Sequence, residues 1–230
     1  MTVALRLASK GLVSALVVFC ACKKDPAAEA QKELAPFRAK ATAHVESLKK
    51  LAPAMRATPR VTKDGVSLDA GPVAIGDFES FDVTAGLLYE EDLGNVESWH
   101  TLEKWPAPKT GLFGQCASML KGGGYAADHL KARLAKNCAD AKYAIVVRTL
   151  ERKQPVLRLA ESVFIPGLQA GEVHVWNLES AKELGAFRFT AKNGDAVKAR
   201  LPNVGVHDIE GDLAFNVAAE IRKGLEKFAR

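Results

Sequence analysis

Four thiols, five imidazoles and one dense run of carboxylates are the groups in this 230-residue chain whose types and spacing suit chemistry. Neither internal cysteine, Cys116 or Cys138, stands in a recognisable nucleophile motif, and the sequence contains no GxSxG or SxxK. His44, His100, His129, His174 and His207 form no HxH, HxxxH or HExxH, so no metal-ligand spacing is present and no cofactor is expected. Glu90, Glu91 and Asp92 offer carboxylates for a cation or an acid–base step. Without a partner residue, such a run reads as a solvated strand end. Gly122-Gly123-Gly124 lacks the GK[ST] ending of a phosphate loop and fits the left-handed stop of a helix. His174 and Trp176 share one strand face, either lining a site or occupying a partly exposed sheet position. Trp99 and Trp105, flanked by Pro106 and Pro108, make a candidate recognition loop; the competing reading pins both rings to the core. No catalytic set emerges.

The N-terminus is more informative. Residues 1–10 carry Arg6 and Lys10 and no acid, and residues 11–21 (GLVSALVVFCA) are uncharged and mostly apolar. A bilayer-spanning helix needs about 20 apolar residues, so this segment is too short to span alone and has the length and flanks of an export signal. Phe19-Cys20-Ala21-Cys22 follows, and it resembles the lipobox of bacterial lipoprotein precursors. Ala21 matches the small residue before the cut, and Cys22 matches the modified cysteine. Phe19 and Cys20 depart from the usual Leu and Ala/Ser. The resemblance implies diacylation of the Cys22 thiol, cleavage before it and acylation of the new amine. Two or more acyl chains anchor a protein stably where one does not. By the same resemblance, Lys23 rather than Asp after the cysteine implies onward transport to the outer membrane. The competing readings are a plain cleaved signal or an uncleaved anchor.

Export would place Cys116 and Cys138 where disulfides persist, and an isolated even pair is the expected signature of one. Closing that loop of about 23 residues is worth roughly 3 kcal/mol in the chain-entropy model. His129 between them leaves the set incomplete for structural zinc.

Charge excludes one class of partner. The formal net charge is +5, and loss of Arg6 and Lys10 with the signal leaves 30 basic and 27 acidic residues. These are interspersed, with no basic stripe and no nucleic-acid-binding motif, so no nucleic-acid partner is expected. A hydrophobic fraction of 48% with 26% charged residues is ordinary for a globular body.

The elements that must position these groups follow from periodicity. Residues 25–33 read as a tether. Leu34, Phe37, Ala41, Val45, Leu48, Leu51 and Met55 recur at gaps of three and four, one face of a helix with Pro36 in its first turn and Pro53 at its end. Lys63-Asp64-Gly65 is a hairpin signal, and residues 85–89 read as a strand. Helices are expected near 113–121 and 126–137, joined by the disulfide. Residues 142–150, 156–165, 172–178 and 184–191 read as four successive strands with short turns, and 212–228 as a closing helix with Leu213, Val217, Ile221 and Leu225 in line. Such short connections predict an α+β domain: an antiparallel sheet of four to six strands, covered on one face by helices, with a C-terminal helix.

The expected organisation is a signal at 1–21, an anchor, tether and helix at 22–57, and a single α+β domain at 58–230. The expected function is a lipid-anchored, non-enzymatic binding or assembly module of the cell envelope, held to a membrane by its N-terminal lipid and meeting an envelope protein partner. The alternatives are an envelope hydrolase whose site forms only in the fold, and a carrier of a small apolar ligand.

Overall fold

A computed structural model describes residues 26–66, 73, 84–94, 112–121, 128–158, 163–194 and 206–228. The signal, Cys22, the Trp99–Trp105 loop with His100, and Gly122 to Gly124 lie outside the described residues.

Helix α1 (Pro26–Ala57) has 32 residues and is about 48 Å long at the usual rise per residue. Its apolar stripe is as spaced: Ala41, Val45, Leu48, Ala52 and Met55 are buried, with Phe37 and Leu51 packed beside them. The tether expected at 25–33 is corrected, because helix begins at Pro26. Ala, Glu, Gln and Lys are strong helix formers, and proline suits a first helical position. Pro36 and Pro53 therefore stand inside the helix. Both rings are exposed, so the carbonyls deprived of a partner face water.

The main sheet has five strands in the order β1-β7-β6-β3-β2: β1 (Gly65–Val66), β2 (Ala85–Tyr89), β3 (Tyr143–Lys153), β6 (Leu168–Asn177) and β7 (Lys182–Lys192). It is mixed, which corrects the antiparallel expectation: β3/β6, β6/β7 and β1/β7 run antiparallel, but β2 pairs parallel with β3. Between those two strands the chain forms α2 (Leu112–Leu120) and α3 (Asp128–Asp140), and a crossover of that size permits parallel pairing. The turn signal at Lys63-Asp64-Gly65 leads not into a local hairpin but onto the edge of β7. Residues 156–165 do not form one strand either. They fold back into β4 (Val156–Arg158) and β5 (Val163–Ile165), a separate two-stranded ladder. The interrupting Ala160-Glu161-Ser162 has weak strand preference.

Helices pack on both faces of the sheet, which corrects the one-face expectation. Strand β3 is buried at every residue from Tyr143 to Arg148, the mark of a strand covered twice. Ala144, Val146, Leu88 and Trp176 join α1, α2 and α3 in one cluster. Tyr143, Ile145, Val147, Val173, Val175, Phe187 and Phe189 join Val217, Ile221 and Leu225 of α4 (Val206–Phe228) in the other. Cys116 and Cys138 form the expected disulfide between α2 and α3, with Cα atoms 6.1 Å apart. No helix among the described residues is long and apolar enough to cross a membrane.

Candidate functional site

Strand alternation sends Val173 and Val175 to the α4 side and Glu172, His174 and Trp176 to the α1 side. Glu172 is fully buried and His174 is 2% exposed, so the partly exposed position expected for His174 is corrected. Arg148 on β3 and Arg188 on β7 are the direct cross-strand neighbours of Glu172. One carboxylate thus lies between two guanidiniums in a row across three strands: Arg148 Nη1 lies 3.4 Å from Glu172 Oε2, and Arg188 Nε 4.0 Å from Oε1.

The row is closed from above by the segment that leaves α1. Val61 N donates to Glu172 Oε1 at 3.0 Å, Arg148 Nη2 donates to the Arg56 carbonyl at 3.2 Å, and Arg188 donates to the Val61 carbonyl. Asp64 Oδ1 accepts from Arg188 N at 3.2 Å. Glu90 supplies a second counter-charge, its Oε1 accepting from Arg148 Nε at 2.9 Å. That hydrogen bond, more than any other effect, raises the Arg148 pKa above its ordinary value. The acidic run expected to be simply solvated therefore contributes one of its members to an ion pair. Of its neighbours, Asp92 is raised by burial and by Glu91, and burial pushes the Tyr89 hydroxyl up to about 12.

His174 lies between two carboxylates. Its Nδ1 is 2.7 Å from Glu183 Oε1, whereas Nε2 is 3.6 Å from Glu172 Oε2 and has no hydrogen-bond partner among the described residues. Acid–base groups are present: Glu172 and His174 are buried, whereas Glu90 and Glu183 are partly exposed. The arrangement joins the end of α1 to the sheet. Removing Arg148 or Glu172 would break the buried pair at its centre, with the usual penalty for such a break.

Two further features are open to solvent. A groove of about 510 Å³ lies where α1 and the end of α3 meet the start of β3. Lys40, His44 and Ser47 line it from α1, and Thr84, Lys142 and Glu179 face them. At the other end of β3, Leu150 (40% exposed), Val156 (40%) and Ile165 (45%) are exposed aliphatics, with Val156 and Ile165 direct partners across the β4–β5 ladder. On α4, Phe215 is also exposed.

Of the residues singled out from the sequence, Cys116 and Cys138 are brought together. Cys22, Trp99 and Trp105 lie outside the described residues. Sequence reasoning missed Arg148, Glu172 and Arg188; the signal was an arginine terminating the apolar run Tyr143 to Val147, in register with a glutamate on the next long strand. It also missed the Lys40, His44, Ser47 stripe, whose gaps of four and three flank the apolar stripe of α1. Compared with family models, curated proteins and solved structures, the chain matches none.

Proposed function

We propose that the chain is a cell-envelope lipoprotein, tied to a membrane through acylated Cys22, whose folded body is a non-enzymatic binding or assembly module. The observation that supports a binding role is the exposed trio Leu150, Val156 and Ile165. Val156 and Ile165 are direct partners across the β4–β5 ladder, Leu150 stands near the end of β3 that leads into it, and Arg152 and Lys153 lie between them in sequence, a combination with the character of a partner-binding patch.

The course of α1 supports the same reading. His44 accompanies Lys142, at the start of β3, in the wall of the groove, while Arg56 meets Arg148 farther along that strand. Helix and strand therefore run the same way, and the hairpin leaves from the end of β3 remote from the beginning of α1. From Pro26 to His44 the helix rises about 27 Å. A lipid at Cys22 would hold the first turn of α1 near the bilayer and leave the aliphatic hairpin facing away from it, available to a protein partner.

Two measurements test the proposal. Mass spectrometry of the mature protein should find a diacylated or triacylated Cys22 as the first residue, and Cys22→Ser should release the protein from membranes. A photo-crosslinker at Ile165 should give one discrete adduct in intact cells, whereas the same crosslinker at exposed Lys227 should not. An unmodified N-terminus elsewhere refutes the anchor. An Ile165 adduct pattern no different from that of Lys227 refutes the binding role.

A further inference from the structure

We infer that the groove between α1, the C-terminal end of α3 and the start of β3 binds a small carboxylate that carries an adjacent hydrogen-bond donor, a 2-hydroxy acid being the simplest case. The inference stands apart from the anchor and from the aliphatic hairpin.

The walls decide the charge of the ligand. Lys136 and Asp140 both line the groove, but they pair with each other at 2.8 Å. Lys40 and Lys142 remain on opposite walls with exposed side chains, against the single carboxylate of Glu179. The balance is one net positive charge, which suits one oxyanion and leaves a polyanion under-compensated. A groove of about 510 Å³ is within the range of small-molecule sites.

His44 decides what stands next to that oxyanion. Its Nδ1 lies 2.8 Å from the Cys138 carbonyl oxygen. A carbonyl only accepts, so Nδ1 carries the proton and the neutral ring presents Nε2 as an acceptor. An acceptor in a groove that also holds two ammonium groups suits a ligand with an oxyanion and a neighbouring O–H or N–H. The ring is also held in place, because the carbonyl it grips belongs to a cysteine bonded to Cys116 of α2. Ser47, one turn further along α1, adds a hydroxyl that either donates or accepts.

Acetate and glycolate differ by one hydroxyl and are the probes. Each is titrated into the oxidised protein while the His44 ring and the Lys142 backbone amide are followed by NMR. Glycolate should saturate with a dissociation constant about tenfold below that of acetate, the scale expected when a ligand hydroxyl meets a waiting acceptor. Lys142→Gln, at an exposed position, should weaken both probes. His44→Ala should weaken glycolate alone and bring it to the level of acetate, and the amide spectrum reports whether each variant is folded. Equal affinities for the two probes in the native protein, or glycolate binding unchanged in Lys142→Gln, overturns the inference. So does a failure of either probe to saturate.

Discussion

Two glycines lie in the interior of α4, and their surroundings give them opposite responses to alanine. By intrinsic preference alone, Gly→Ala inside a helix gains about 0.8–1.0 kcal/mol. At Gly211 an added Cβ would meet nothing within 4 Å, so the gain should appear nearly whole. At Gly224 the same Cβ would stand 2.6 Å from Phe187 Cζ and closer still to Cε2. Phe187 is a core residue of β7, 3% exposed and packed with Val217, Ile221 and Leu225, and its ring could yield only toward a small pocket of about 70 Å³ that it lines together with Gly224. Overpacking of this kind costs about 1–3 kcal/mol, which cancels or exceeds the helix preference. Gly211→Ala should thus raise the thermal midpoint by about 2–4 °C, while Gly224→Ala should leave it unchanged or lower it by up to about 8 °C. Gly224→Ala combined with Phe187→Leu should recover part of the loss. Differential scanning calorimetry and urea denaturation measure all three. If both single variants raised the midpoint by the same amount, the close packing of α4 on β7 would be refuted.

Three other outcomes follow from the buried groups. Glu172→Ala leaves Arg148 with Glu90 as its one carboxylate partner among the described residues and the Val61 amide without its acceptor. It should cost about 3 kcal/mol in urea denaturation, the lower end of the range for a broken buried pair, and Glu172→Gln should cost less because its carbonyl still accepts from Val61. Reduction, or joint Cys116→Ala and Cys138→Ala, should cost about 3 kcal/mol for a loop with sequence separation 22; equal denaturation midpoints with and without reductant would contradict this. Asp92 binds its proton more tightly in the folded state than in the unfolded state, because burial and Glu91 raise its pKa. Its contribution to stability is therefore greatest in acid and falls as pH rises through the carboxylate range. Asp92→Asn should raise the midpoint at neutral pH, with the advantage vanishing in acid.

Local periodicity carried the legible part of the fold. Leu213, Val217, Ile221 and Leu225 define α4 by spacing alone, and the alternation of Glu172 to Trp176 assigns those five residues of β6 to their correct faces. What was not legible depends on partners distant in sequence. Nothing within residues 85–89 says that they will lie parallel to 143–147, since that choice is made by the helical crossover and its disulfide. The apolar run Tyr143 to Val147 does carry the signature of a strand buried on both faces, which the one-face expectation overlooked. His174 reads as half-exposed because the packing of helices on both faces of the sheet is not visible in the alternation of one strand. The groove escaped notice for a related reason: Lys40, His44 and Ser47 are an ordinary polar stripe until the end of α3 and the start of β3 close over them.

The row Arg148–Glu172–Arg188 also bears on which strand alignment is allowed. Were β6 to slide by two residues, keeping its inward and outward faces, Glu172 would confront Val146 or Glu151 on one side and Ala186 or Thr190 on the other. Such a slide would also bring a side chain into the place of Gly171, where a Cβ would stand 2.8 Å from the Phe189 ring, and a buried carboxylate without a cation costs about 3–5 kcal/mol. One buried carboxylate and one glycine thereby act together as an alignment key for three strands.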